Sequence, residues 1–143
     1  MAAFWCALTI GLLVQGFKGV AASWRSRRVT LHRFFEPGGM PSAHSASVAA
    51  LSSITGFKAG FGSPVFGVAL YFSLIIMYDA AGLRRAAGRQ AAILNRMLEA
   101  QDGDPTEAQP RLMELLGHSP LEVAIGALLG IGAAMIWHYL LHW

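Results

Sequence analysis

Charge is scarce in this chain. Only 13% of its 143 residues are Asp, Glu, Lys or Arg, against about a quarter in soluble domains, which excludes an ordinary water-solvated surface. Cysteine is nearly absent: Cys6 stands alone, so no internal disulfide forms and redox compartment is not marked. Acidic residues number eight against eleven Lys and Arg, and no aromatic platform interleaves with the basic ones, so a nucleic-acid partner is not expected. Met1 to Cys6 carries no basic side chain, which argues against a secretory leader and for a first membrane helix. No internal repeat and no low-complexity tract is present.

What the chain does hold is apolar runs. Hydrophobic residues make up 55% of it and mean hydropathy is +0.47. A membrane span needs about 20 residues at a rise of about 1.5 Å each. The pattern predicts an all-α integral membrane bundle of four transmembrane helices, about 2–22, 42–57, 63–83 and 119–141, in one domain over 1–143. The second is short and rich in Ala and Ser, suited to close packing rather than lipid, and is expected at the bundle centre. Gly126, Gly130 and Ala134 recur every four residues and form another flat face.

Two basic loops, 24–40 and 84–118, flank these segments. Arg25, Arg27, Arg28 and Arg33 lie in the first, and Arg84, Arg85, Arg89 and Arg96 in the second. Both are expected on the cytoplasmic side by the excess of positive charge. Within the second loop, Leu83 to Ala100 has the spacing of a short amphipathic interfacial helix with arginines toward headgroups. Gln101 to Pro110 reads as a flexible loop, and Arg111 to Leu116 as one more short helical stretch. Trp137, Tyr139 and Trp143 are expected in an outer aromatic belt, with His138 and His142 interfacial beside them.

The polar residues at the predicted cytoplasmic ends suggest phosphoryl chemistry. Hydrolysis of a phosphate monoester needs a nucleophile, a proton donor for the leaving oxygen, and cations or amides around the phosphate. His118 and Glu122 are four apart, so the carboxylate can fix the imidazole tautomer. The same stretch, Ser119-Pro120-Leu121-Glu122, also fits a capping box with proline at the first helical position, which accounts for every residue but His118. His44 follows Pro41-Ser42 at a helix start, where free N–H groups favour an anion, and Gly38-Gly39 permit close backbone approach. Lys18, with Gln15 one turn earlier, can clamp a phosphate oxygen or merely snorkel. Asp79 at the end of an apolar helix needs a cation, with Arg84, Arg85 and Lys18 in reach. A metal held by His44, His118 and Glu122 lacks supporting ligand spacing. Ser42 as a nucleophile lacks the strand–elbow–helix context of serine hydrolases.

Pro41-Ser42-Ala43-His44 resembles the Pro-Ser-Gly-His motif of the type 2 phosphatidic acid phosphatase and vanadium haloperoxidase superfamily. His118 and Glu122 resemble its His-x3-Asp motif, and Lys18 and Arg25 keep its Lys-x6-Arg spacing. Gly38 to Ser42, Met77 to Gly82 and Leu115 to His118 look like the small divergent branch of that superfamily. The resemblance implies a phosphohistidine at His118, orientation by Glu122, general acid catalysis by His44, and phosphate contacts from Lys18, Ser42, Gly39 and Arg84 or Arg85, supported by Asp79 and Gln15. It implies no metal and no cofactor. Its substrate would be a lipid phosphate of the phosphatidic acid or phosphatidylglycerophosphate class, in a bacterial inner membrane or an organelle membrane of similar origin. Departures are Ala43 for glycine, Ser26 for proline, Glu122 for aspartate, and Leu112 where the family places an arginine. The chain corresponds to the last four of the usual six helices, which leaves faces that a homodimer would cover. A non-catalytic protein that binds or translocates anionic lipid is the alternative.

Overall fold

The computed structural model describes residues 1–26, 39–100, 111–114 and 117–140. Five helices follow in order: α1 (Ala2–Ser26), α2 (Ala43–Ala59), α3 (Pro64–Ala81), α4 (Leu83–Ala100) and α5 (Pro120–Leu140). Most of the Trp24–Met40 loop, Gln101 to Pro110, Leu115-Leu116, His142 and Trp143 fall outside the described residues.

Serine starts three of the helices. Ser42 Oγ accepts the Ser45 N–H at 3.3 Å and Ser63 Oγ accepts the Phe66 N–H at 3.2 Å, each satisfying an orphan donor of a first turn. Pro64 follows Ser63 at the first helical turn, where its missing N–H costs nothing. At α5 the capping box forms in both directions: Glu122 N–H donates to Ser119 Oγ at 3.3 Å, and Ser119 N–H donates to Glu122 Oε2 at 2.9 Å.

Helix α2 is the hub, packed against α1, α3 and α5. Cys6 and Ile10 of α1 meet Ala46, Ala50 and Ile54 of α2 and Ala134 of α5 in a buried core, and the four-residue spacing within α1 and α2 is that of interdigitating ridges. Because α2 offers mostly Ala and Ser, its neighbours come close. Ser47 Oγ donates to Ala7 C=O on α1 at 2.8 Å, and Ser73 Oγ of α3 lies 2.9 Å from Val48 C=O on α2. Such hydroxyl bonds hold apolar helices together where the hydrophobic effect does not. The outer surfaces of α1, α3 and α5 are apolar and exposed, α3 burying only Ser73 and Ala80.

Among the described residues three helical runs are long and apolar enough to cross a membrane: Ala2–Trp24, Pro64–Glu99 and Pro120–Leu140. That narrows the expectation of four spans, since α2 has 17 residues and too many small polar ones to join them. Nor is α4 a detached segment. Only Gly82 separates it from α3, and Gly82 N–H donates to Tyr78 C=O at 2.8 Å while its own carbonyl accepts Ala86 N–H at 2.9 Å, so the hydrogen-bond ladder runs on through the joint.

The short helix expected at Arg111 to Leu116 is corrected: Arg111–Glu114 are not helical. Buried Asn95 of α4 takes up their backbone groups instead. Its Oδ1 accepts Leu112 N–H at 3.0 Å, while Nδ2 donates to Leu112 C=O at 2.9 Å and to Glu114 Oε1 at 2.8 Å. A side-chain amide that matches a peptide group in this way replaces the helical partner. Trp137 packs against the core, and Tyr139 is exposed.

Candidate active site

The connections place four helix ends together. The α2 start bonds to the α5 start through Ser42 N–H to Glu122 C=O at 3.2 Å. The α5 approach bonds to the α3 end through His118 N–H to Ala80 C=O at 2.9 Å. Lys18 sits toward the same end of α1, near enough for its charge to act on both His44 and His118. Gly117 has φ +87°, a left-handed conformation natural to glycine, and a Cβ there would lie 2.6 Å from Arg85 N and 2.9 Å from Arg84 C. His118 can therefore reach its place only because its predecessor has no side chain.

A small, partly open cleft lies at this end, lined by His44, Ile76, Asp79, Ala80, Arg84, Gly117 and His118. Two imidazoles separated by 74 residues of chain thus share one cavity with a guanidinium. Arg84 Nε donates to Asp79 Oδ2 at 3.0 Å, with both side chains partly exposed. An exposed pair of this kind adds little stability; its effect is to hold the guanidinium at the cleft wall.

His118 is 95% buried, and its Nδ1 faces Glu122 Oε2 at 3.4 Å. The contact is at ion-pair distance without hydrogen-bond alignment, and the same oxygen accepts the Ser119 N–H. One carboxylate thus caps α5 and faces the His118 ring. Burial lowers the His118 pKa below its ordinary 6.5, Lys18 lowers it further, and Glu122 opposes both. The neutral imidazole with a free lone pair is therefore the form at pH 7. Protonation removes that lone pair as pH falls through the lowered pKa. Any activity that uses His118 as nucleophile is accordingly expected to keep its rate down to a pH below 6.5 before the acidic limb of kcat/KM falls; a limb well above that value, lost in neither Lys18→Ala nor Glu122→Gln, would refute the assignment.

The other expected site residues are placed as follows. Ser42 is fully buried, where its hydroxyl caps α2 and accepts from Ser45 Oγ–H at 2.9 Å. Gly39 has φ +76° with open space around its α-carbon. Arg85 lends its backbone to the Gly117 contact, and its side chain is exposed. Gln15 is half-buried on α1. None of these four, nor Lys18, lines the cleft itself. Among the described residues no three His, Cys, Asp or Glu side chains are gathered to hold a metal. Ile76 and Ala80 are wall residues that no motif marks, and Asn95 carried no signal beyond being a polar residue on an amphipathic face.

Comparison with known sequences gives the family. The sequence model of the Divergent PAP2 family matches residues 1–133, which takes in Lys18, His44, Asp79, His118 and Glu122. The chain belongs to the Divergent PAP2 family. It is also 40% identical over 125 residues to "Uncharacterized membrane protein YuiD" of Bacillus subtilis (strain 168), an alignment covering 80% of this chain and 79% of that one. No solved structure matches it. Membership in this family accounts for the order of the motifs along the chain, and the relative is likewise a membrane protein.

Proposed function

We propose that this family member is a metal-independent phosphatase of membrane lipid phosphates, acting through a phosphohistidine at His118. The observation that carries the reading is the shared cleft: His44 and His118 line one cavity together with the Asp79–Arg84 pair. With Nδ1 turned to Glu122, Nε2 is the nitrogen left to attack phosphorus. Its lone pair forms the N–P bond as the P–O bond to the lipid breaks. His44 gives a proton to the departing alkoxide and Glu122 stabilises the cation formed on His118. Water, deprotonated by His44, then attacks the phosphohistidine, releasing inorganic phosphate and restoring the imidazole. Arg84 faces the phosphate oxygens, and Lys18 adds positive potential behind them.

Four membrane crossings, with α2 as the buried short one, would put both basic loops on the cytoplasmic side. Substrate would then enter sideways from the inner leaflet. Phosphatidic acid or phosphatidylglycerophosphate suits that side, and the exposed apolar walls of α3 and α5 suit acyl chains. In mixed micelles with EDTA present, the purified protein is expected to release inorganic phosphate from one of these two lipids, and an acid-labile, base-stable phosphoprotein is expected in rapid quench. Saturable binding of the lipid with no release would identify the alternative, a non-catalytic binder or translocator of anionic lipid.

A further inference from the structure

Helix α4 presents three faces. Gly88, Ala91 and Asn95 are buried, and Asn95 holds the Leu112 backbone. Arg85, Arg89 and Arg96 form a second, exposed stripe, and Glu99, one turn beyond Arg96, is paired with Arg111. Ile93, Leu94, Met97 and Leu98 form a third, with Met97 61% and Ile93 54% exposed. Among the described helices α4 packs against α3 alone. It follows α3 across Gly82 alone, and where α3 carries no lysine or arginine, α4 carries Arg84, Arg85, Arg89 and Arg96.

We infer that α4 is an anionic-lipid docking surface, its Leu94–Met97–Leu98 face seated in a bilayer leaflet and Arg89 and Arg96 engaging bystander anionic headgroups. Charge complementarity selects this occupant. A second copy of α4 would bring another arginine stripe against the first, whereas an anionic leaflet neutralises it. Each arginine near such a surface contributes about fivefold to partitioning, and the apolar stripe supplies the insertion. Docking has a consequence for the cleft, and this part rests on the function proposed above. Arg84 of the cleft begins α4, Gly117 lies against the Arg84-Arg85 backbone, and Asn95 tethers the segment that leads toward His118. Seating α4 therefore orders two walls of the cleft at headgroup depth, so non-substrate anionic lipid is expected to raise turnover.

The test uses the full chain carrying Cys6→Ala and Leu94→Cys, labelled with an environment-sensitive nitrobenzoxadiazole dye, in nanodiscs of phosphatidylcholine with or without 30% phosphatidylglycerol. The anionic discs are expected to give a blue-shifted dye that is quenched by doxyl-labelled lipid, and high salt or Arg89→Gln/Arg96→Gln is expected to reverse about 25-fold of the docking equilibrium. A dye that stays water-exposed in anionic discs overturns the proposal. So does a shift that follows the number of protein copies per disc instead of lipid charge, which would identify a second copy as the occupant. A second label at Met97→Cys guards against a local effect of the first. With phosphatidic acid as substrate at fixed surface fraction, so that phosphatidylglycerol is not the product, phosphatidylglycerol is expected to raise phosphate release several-fold, within the about fivefold per arginine of the docking term, in wild type and not in the double variant. Absence of all release with the dye response intact would reject the phosphatase and leave the docking surface standing.

Discussion

His118→Ala is expected to lower phosphate release from lipid micelles by at least about 10³-fold, the usual cost of deleting a covalent nucleophile. The residual rate would come from binding and from the cations at the cleft. Two companion variants separate chemistry from collapse. Glu122→Gln keeps an oxygen to accept the Ser119 N–H, so the α5 cap survives, while the charge facing Nδ1 at 3.4 Å is lost. Its rate is expected to fall by about 10²-fold with the thermal midpoint within a few degrees of wild type. His44→Ala removes the proton donor and is expected to slow phosphoryl transfer from substrates with poor leaving groups by about 10²–10⁴-fold, and the initial burst of p-nitrophenol from a p-nitrophenyl ester, whose leaving group needs no proton, by far less. The phosphoprotein should disappear in His118→Ala and persist in His44→Ala, where the second step also lacks its base. Equal rates for wild type and His118→Ala would end the phosphohistidine mechanism, whatever the other two variants do.

The parts of this molecule that were legible in sequence are those with a local physical signature. Apolar length marked α1, α3 and α5. Ser119-Pro120-Leu121-Glu122 marked where α5 begins, and its capping box formed. The small-residue face at Gly126, Gly130 and Ala134 predicted a close crossing, and all three are buried. The Asp79 carboxylate was expected to find a cation, and it accepts from Arg84, whose side chain lines the cleft.

What was not legible depended on partners distant in sequence. Arg111–Glu114 has ordinary helical composition. Nothing within it reveals that Asn95, 17 residues earlier, takes both backbone groups of Leu112. The motif serine at 42 reads as a ligand for phosphate, and nothing local shows that its hydroxyl also caps α2 or that its carbonyl, which accepts the Ala46 N–H, lies against Gly126. Glu122 reads in sequence as cap or catalytic partner; the cap forms, and the same carboxylate oxygen also faces His118 Nδ1 at 3.4 Å, a proximity that four-residue spacing permits but does not fix. Span counting suffered from the same limit. Hydropathy measures how well a helix suits lipid, and α2 is built to suit its neighbours.

That crossing of α2 and α5 is the most sensitive point in the fold. Gly130→Ala is expected to cost about 3 kcal/mol, the upper end of overpacking penalties. The added Cβ would stand 2.1 Å from Ala46 O and 2.8 Å from Ala46 C. Both atoms are α2 backbone, so no rotamer change relieves the clash and the helices must separate by about 1 Å to restore contact distance. One helical turn away, a Cβ on Gly126 would meet Ser42 O at 2.4 Å, which leaves no room to pivot. Separation also strains the Ser42 N–H to Glu122 C=O bond that ties the two helix starts together. The cleft therefore opens with the crossing, and phosphate release is expected to fall with stability. Gly132→Ala is the control, since nothing lies within 4 Å of its added methyl. There the better helix propensity of alanine is expected to stabilise by up to about 1 kcal/mol. Unfolding in detergent, followed by helical circular dichroism, should separate the two variants in opposite directions from wild type. If Gly130→Ala and Gly132→Ala unfold together, α2 and α5 do not approach as closely as this packing requires, and the convergence of His44 and His118 loses its support.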